Sequence, residues 1–347
     1  MKDYQITVIV PMYNVELYIE ETIDSIIAQT MFDEVELLIV DDCSTDASWE
    51  LAERKRKRFP SNIRLIRQPE NAGVSASRNL GLRHANGEYV FFADSDDVLP
   101  HDALENLYNA ASKAEADLVT APFDHLVDGA FKEAGLTRVF PELKREGYIN
   151  IQENPSIMYS IFCWGKLYRK SLIKEMSFHE DISFGEDQIF TISAMLRAEN
   201  IFNLSDITYH YRGRLGSITK SASSIEALES SIRVGRLVEE CIDATSLIQK
   251  EMLKGYYFRS CLLRDIWGPI RVALNKADMA ERHQTLSLLN GWITDLSSRY
   301  IREYISDFNE ILKNIGELFP VMDTKTQQLL ISILKAIKTK YGQQAVN

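Results

Sequence analysis

Three carboxylates fall within four residues at Asp94-Ser95-Asp96-Asp97, directly after the apolar run Tyr89-Val90-Phe91-Phe92. Such a run suits a strand buried on both faces of a parallel sheet. In an extended chain Asp94 and Asp96 point the same way, about 6.6–6.8 Å apart at the usual rise. Like charges so placed repel, and a cation beside or between them relieves the repulsion. A hard divalent ion carrying a nucleotide diphosphate suits the position, because Mg2+ and Mn2+ prefer oxygen and take only one or two ligands from protein. The plainer alternative is a solvated acidic turn that caps a helix starting near His101.

The elements that must position this cluster follow from hydrophobic period. Ile6–Val10 reads as a strand stopped by Pro11, with Pro11-Met12-Tyr13-Asn14 as the loop at its end. Val15–Thr30 carries Leu17, Ile19, Ile23, Ile26 and Ile27 at helical spacing. A second apolar strand, Val35–Val40, ends in Asp41-Asp42-Cys43-Ser44, and Thr45 or Asp46 can cap a helix running through Arg58. Strand Ile63–Ile66 and helix Val74–His84 complete a β-α-β-α-β-α-β order, which implies a parallel sheet with right-handed crossovers. Ligands of such sheets bind at the carboxyl ends of the strands near a switch point. Three polar loops, at Pro11–Asn14, Asp41–Ser44 and Asp94–Asp97, share that rim.

Further on, His101–Ala116 reads as a helix and Asp117–His125 as one strand. Asp128-Gly129 and Gly135 mark a hairpin or excursion. Trp164–Ile173 mixes an aromatic, a glycine and three bases. Phe184-Gly185-Glu186-Asp187 leads a helix with its acids in the first turn, where the helix dipole favours the ionised form. A last strand, Ile207–Tyr211, runs into the basic, glycine-containing stretch Arg212–Thr219. Beyond about residue 222 only helical patterns remain, with breaks at Gly268-Pro269 and Phe319-Pro320. The expected domains are therefore 1–220, an α/β unit, and 221–347, a helical one.

The 347 residues carry 39 Lys and Arg against 50 Asp and Glu, a net charge of −11, which argues against nucleic acid as a bulk partner. The four cysteines are far apart and make no metal-ligand spacing. No Gly-x-Gly-x-x-Gly follows the first strand and no phosphate-loop Gly-Lys-Ser/Thr is present, so a bound nucleotide would need its diphosphate held by a metal. No signal peptide and no apolar run of membrane-spanning length is visible, so a cytoplasmic location is expected.

In order along the chain stand Val10-Pro11-Met12-Tyr13-Asn14, Asp41-Asp42 with Ser44 and Asp46, and Asn71-x-Gly73-x-Ser75-x-x-Arg78-Asn79-x-Gly81. Asp94-Ser95-Asp96-Asp97, Gly185-Glu186-Asp187-x-x-Phe190 and Tyr211-Arg212 follow. Each is loose, but six in order form a specific pattern. Over residues 5–220 the chain resembles a family 2 glycosyltransferase with the GT-A fold. The resemblance implies inverting transfer of a sugar, usually from a UDP-linked donor, to a glycan, polyol-phosphate or lipid-linked acceptor, with Mn2+ or Mg2+ as cofactor. It implies Asp96 on the metal, Asp94 on ribose or metal, and Asp42 on the uracil edge with Pro11 and Tyr13 packing on the base. Arg78 falls on the nucleotide side, and Asp187 is the general base, with Glu186 the competing acid beside it.

Arg212 and Arg214, with Ser217, could close over the diphosphate, since arginine suits bidentate phosphate contact. Trp164 could stack on a sugar or belong to the core, and Lys166 could meet a phosphate or an anionic acceptor. In the C-terminal part, Leu329, Leu330, Ile333, Leu334 and Ile337 with interspersed lysines suit packing on neighbouring helices or a second subunit, or contact with an anionic membrane surface. The competing readings are a non-catalytic nucleotide-sugar-binding scaffold and a nucleotidyltransferase. The latter would carry a Gly-rich basic loop where Pro11–Asn14 stands.

Overall fold

The computed structural model of the protein describes residues 3–213, 224–258 and 279–295, with a few helical positions between 265 and 272 and between 324 and 335. The chain divides into two compact units after residue 215.

The first unit is built on an eight-stranded sheet in the order β3-β2-β1-β4-β9-β5-β10-β8. Its parallel half comprises β1 (Ile6–Met12), β2 (Val35–Asp41), β3 (Ile63–Arg67) and β4 (Tyr89–Phe92). They are joined by helices α1 (Ile19–Ile27), α2 (Ser48–Arg58) and α3 (Val74–His84). The chain steps from β1 to β2 to β3 in one direction and then places β4 on the other side of β1. The switch point therefore lies between the carboxyl ends of β1 and β4, where Pro11–Asn14 and Asp94–Asp97 begin.

β1 does not stop at Pro11: it runs two residues past Val10, and Pro11 stands opposite Val40. A central strand normally cannot spare an N–H. Here the β4 pairing reaches only to Ile9, so the proline lies beyond the ladder on that side. α1 is shorter than its apolar spacing suggests, and Leu17, expected on its inner face, is 80% exposed. Gly81 lets α3 lie close on β1, since a Cβ there would come within 2.5 Å of Ile9 Cγ2.

The other half of the sheet is short-stranded and mixed. It holds β5 (Leu118–Thr120), β8 (Gly147–Ile149), β9 (Leu167–Arg169) and β10 (Ile201–Asn203). β9 runs antiparallel to both β4 and β5. The expected single strand at 117–125 is two strands. β5 joins the large sheet, while β6 (Phe123–Val127) joins a second, three-stranded sheet with β7 (Ala130–Glu133) and β11 (Tyr209–Arg212). Pro122 stands between them, where the missing N–H interrupts a ladder. β6 and β7 form a hairpin on Asp128 (φ 51°) and Gly129 (φ 76°), both left-handed as a tight primed turn needs. Helices α4 (Ala103–Lys113), α5 (Gly135–Val139), α6 (Lys170–Ile173) and α7 (Glu186–Arg197) complete the unit.

Among the described residues the second unit is helical: α8 (Ser224–Asp243), α9 (Lys250–Tyr257) and α10 (Met279–Asp295). Leu228, Val238, Ile242, Leu253, Tyr257 and Leu286 are buried within it, and Phe258 stacks on Trp292 at 5.9 Å. Gly268 and Pro269 are helical rather than a break. Leu330, Ile333, Leu334 and Ile337 of the expected last helix lie outside the described residues. No helix among the described residues is long and apolar enough to cross a membrane.

Candidate active site

The loops after β1 and β2 are stitched together by side chain–backbone hydrogen bonds. Asn14 adopts a left-handed φ of 48°, which its short amide tolerates. Its Oδ1 accepts the Thr45 N–H at 2.8 Å, and its own N–H donates to Ser44 Oγ at 3.1 Å. The Val15 N–H donates to Ser48 Oγ at 2.8 Å, and the Glu16 N–H to Asp46 at 3.0 Å. Asp46 does not cap α2 directly: Ala47 is the capping position, and Asp46 instead links the Ser48 amide to the neighbouring loop. Asp42 is buried, and its carboxylate accepts the Gln68 amide at 2.6 Å and the Ala72 and Gly73 N–H groups at 2.8 and 2.9 Å. It thereby holds the turn that starts α3, where Gly73 has φ 91°. Pro11 is buried in β1, and Tyr13 is 46% exposed.

Asp94–Asp97 is not extended. The Asp97 N–H donates to the Asp94 carbonyl at 3.2 Å, so the chain turns and the strand-based spacing of Asp94 and Asp96 does not apply. Asp97 is 1% exposed and holds this turn, accepting the Tyr209 hydroxyl and the Arg212 N–H, each at 2.7 Å. The Asp94 N–H donates to the same Tyr209 hydroxyl at 2.9 Å. Burial above all, and then the charges of Asp94 and Asp96, push the Asp97 carboxyl well above the usual carboxylate range. Asp94 and Asp96 are both partly exposed.

Arg78 is buried, 4% exposed, and is not a helix-surface arginine. Its guanidinium bridges Asp94 at 3.0 Å and Glu186 at 2.8 Å and lies over the Phe178 ring at 5.3 Å. It ties the turn after β4 to the start of α7. The adjacent Asn79 donates to the Phe178 carbonyl and to Glu180, at 2.9 and 2.8 Å, and accepts the Phe178 N–H at 2.7 Å. Glu180 is thus part of the frame. Gly185, at φ 83°, turns the chain into α7. Glu186 is occupied by Arg78, while the half-buried Asp187, one position on, projects along a different direction of the helix. Asp187 is a charge neighbour of Arg78, Cys163 and Lys166.

Arg212 donates through Nε to the Asp96 carbonyl at 2.7 Å and pairs with Glu21 at 2.6 Å. Arg214 and Ser217 lie outside the described residues.

Two candidates need correction. Trp164 is 7% exposed and stacked with Phe162 at 3.9 Å, Tyr209 at 4.5 Å and Tyr211 at 5.4 Å, so it belongs to the core rather than to a sugar platform. Lys166 is 1% exposed and its ammonium donates to the Phe162 carbonyl at 2.7 Å, so it does not reach out to a phosphate. Sequence reasoning missed Tyr209 and the roles of Asn79 and Asn14. The two asparagines stand inside quoted motifs, next to Arg78 and Tyr13, and an amide beside a candidate site residue is a usable signal. Tyr209 gives none, because its hydroxyl acts across 115 residues of sequence.

Residues 7–177 match the family model of Glycosyl transferase family 2. The first unit is a family 2 glycosyltransferase domain. GlyA, a glycosyltransferase of Streptococcus pneumoniae, is 36% identical over 231 residues, which cover 63% of this chain and 32% of that protein. The uncharacterized glycosyltransferase EpsJ of Bacillus subtilis is 34% identical over 62% of this chain and 63% of its own length. TarS of Staphylococcus aureus, a poly(ribitol-phosphate) beta-N-acetylglucosaminyltransferase, is 31% identical over 59% of this chain and 35% of its length. The chain therefore spans between a third and two thirds of the length of these relatives. In structure, TarS residues 1–349 in complex with UDP-GlcNAc superpose at a TM-score of 0.72 and 24% identity, over 97% of this chain and 89% of that one. That likeness is one of fold: GT-A with a mostly parallel sheet and a helical C-terminal region.

Proposed function

We propose that the protein is an inverting glycosyltransferase, moving a sugar from a UDP-sugar to a hydroxyl of a cell-surface polysaccharide, teichoic-acid-type or lipid-linked acceptor. The observation that carries this reading is the Arg78 bridge, which joins the acidic turn at the switch point to the helix start bearing Glu186 and Asp187. The solved complexes of TarS with UDP and with UDP-GlcNAc support the donor class, and the teichoic-acid relatives support the acceptor class.

Asp42, Pro11 and Tyr13 receive the base in this reading. Asp96, with Asp94 beside it, holds a divalent ion. Among the described residues no three acidic, imidazole or thiol side chains form a cage for an ion, but a site of one or two carboxylates completed by ligand phosphates needs none. Burial above all raises the Asp97 carboxyl, and the neighbouring charges of Asp94 and Asp96 add to it, a concentration of negative charge that fits a cation at this turn. A bound ion supplies Lewis-acid stabilisation of the departing diphosphate. Asp187 takes the acceptor hydroxyl proton, and Glu186, neutralised by Arg78, positions α7 instead. Arg212 steadies the turn through the Asp96 carbonyl. Residues 1–220 perform the transfer on the cytoplasmic side, and residues 221–347 carry contacts to acceptor, partner subunit or membrane surface.

The test is to incubate the protein with UDP-sugars and Mn2+ and measure released UDP, then repeat with Asp187→Asn and Asp96→Ala. No release with any nucleotide sugar and acceptor, or full activity of Asp187→Asn, overturns the assignment. Binding without turnover would favour the scaffold reading.

A further inference from the structure

Lys166 is among the largest fully buried side chains of the molecule. A lysine so placed must be held by something, and its contacts are specific. The ammonium donates to the Phe162 carbonyl at 2.7 Å and lies 4.0 Å from the centre of the Phe162 ring. That ring stacks on Trp164 at 3.9 Å and 13°, and Trp164 stacks on Tyr209 at 4.5 Å and 16°. The Tyr209 hydroxyl accepts the Asp94 N–H and donates to Asp97. Gly165 makes the column close: its φ is 65°, and a Cβ there would lie 3.3 Å from Tyr209 Cβ.

We infer that Lys166 is a positioning residue, whose ammonium aligns the Phe162–Trp164–Tyr209 column and through it sets the backbone of the Asp94–Asp97 turn. The inference rests on the reading of that turn as the nucleotide end of the site. A cation over an aromatic face in a water-excluded place is a strong clamp, and it exists only while the amine is protonated.

Burial lowers the Lys166 pKa to about 7, opposed by Cys163 and Asp187. These are the titratable groups that face it, from its own loop and from α7, while Arg78 of α3 and Tyr168 of β9 act on the same two. Burial also pushes the Cys163 thiol up, so it is uncharged near neutrality and Asp187 supplies the opposing charge. The clamp is therefore half formed at about pH 7, gained as pH falls from there and lost as it rises.

The test compares the wild type with Lys166→Met and, as a variant that keeps the amine but cuts the next link, Phe162→Leu. UDP affinity with Mn2+ is measured by calorimetry between pH 6.5 and 8.5. The Trp164 fluorescence of the ligand-free protein is followed over the same range, as the difference from Trp164→Phe. The expected result is a fluorescence transition near pH 7 in the wild type, absent from Lys166→Met, with about a tenfold loss of UDP affinity in both variants and in the wild type at high pH. Folded Lys166→Met with unchanged affinity and an unchanged fluorescence transition overturns the inference. If Lys166→Met fails to fold, Phe162→Leu decides by the same two readouts. If the wild type binds no UDP, the nucleotide reading fails, while the fluorescence transition still decides whether the lysine controls the column.

Discussion

The two halves of the first unit hold their parts of the candidate site by different physics. On the β1–β3 side, short polar side chains bond to nearby backbone: Asn14 to Thr45, Ser48 to Val15, Asp42 to Ala72 and Gly73. On the β9–β11 side, rings do the work, with Phe162, Trp164 and Tyr209 stacked and Phe92, Phe178 and Phe190 in mutual contact. A polar network sets direction within tenths of an ångström but depends on every partner being present. An aromatic cluster tolerates partial loss, since each pair adds only about 0.5–1.5 kcal/mol beyond its burial. Arg78 is the joint between the halves, with one end of its guanidinium on Asp94 and the other on Glu186.

Breaking the joint should have the largest effect. Arg78→Met leaves two carboxylates without their cation and should cost about 3–5 kcal/mol, the usual price of removing one partner of a buried pair. Denaturant unfolding measures it, and a loss below about 1 kcal/mol would mean that the halves are held together elsewhere.

Asp187→Asn should change chemistry and not folding. Transfer should fall by about 10²–10⁴-fold, the range for a general base, with UDP affinity and thermal midpoint close to wild type. An equal loss in Glu186→Gln without loss of stability would reverse the division of labour between the two acids.

Within the polar half, Asn14→Gly keeps the left-handed backbone but removes the acceptor for the Thr45 N–H. Both groups are exposed, so the cost should be about 0.5–1.5 kcal/mol, the net worth of one hydrogen bond, with weaker UDP binding, whereas Asn14→Asp should restore most of both.

The smallest effect is acid dependence at β2. Burial opposes ionisation of Glu36, but hydrogen bonds from Arg64, Thr7 and Asn86 jointly outweigh it and hold the carboxyl below its ordinary range. A depressed folded pKa gives stability that is present above the unfolded carboxylate value of about 4.3 and lost as pH falls below it. Glu36→Gln should flatten this part of the stability–pH curve below about pH 4.3. An unchanged slope in that window would show that Glu36 is not its source.

Period and punctuation in the sequence were enough for the parallel half. Four apolar runs, each followed by a polar loop, dictate strands with their loops on one rim, and helix Val74–His84 stands at the bounds its pattern marks. The carboxylates and the order of the motifs also belong to the sequence, because residue type alone decides what can bind a hard cation or take a proton. Tertiary structure decided the rest. β5, β9 and β10 are three residues each, too short for a period to show, and they persist only because the neighbouring strands and the aromatic cluster bury them. The turn at Asp94–Asp97 overrode the extended geometry of β4, since Tyr209 and Arg212 reach it from 112 and 115 residues away. Trp164 could be read either as a sugar platform or as core, and Lys166 as a phosphate or acceptor contact; both are interior. Whether an aromatic or a cation faces solvent depends on which distant rings pack against it, and no local pattern encodes that.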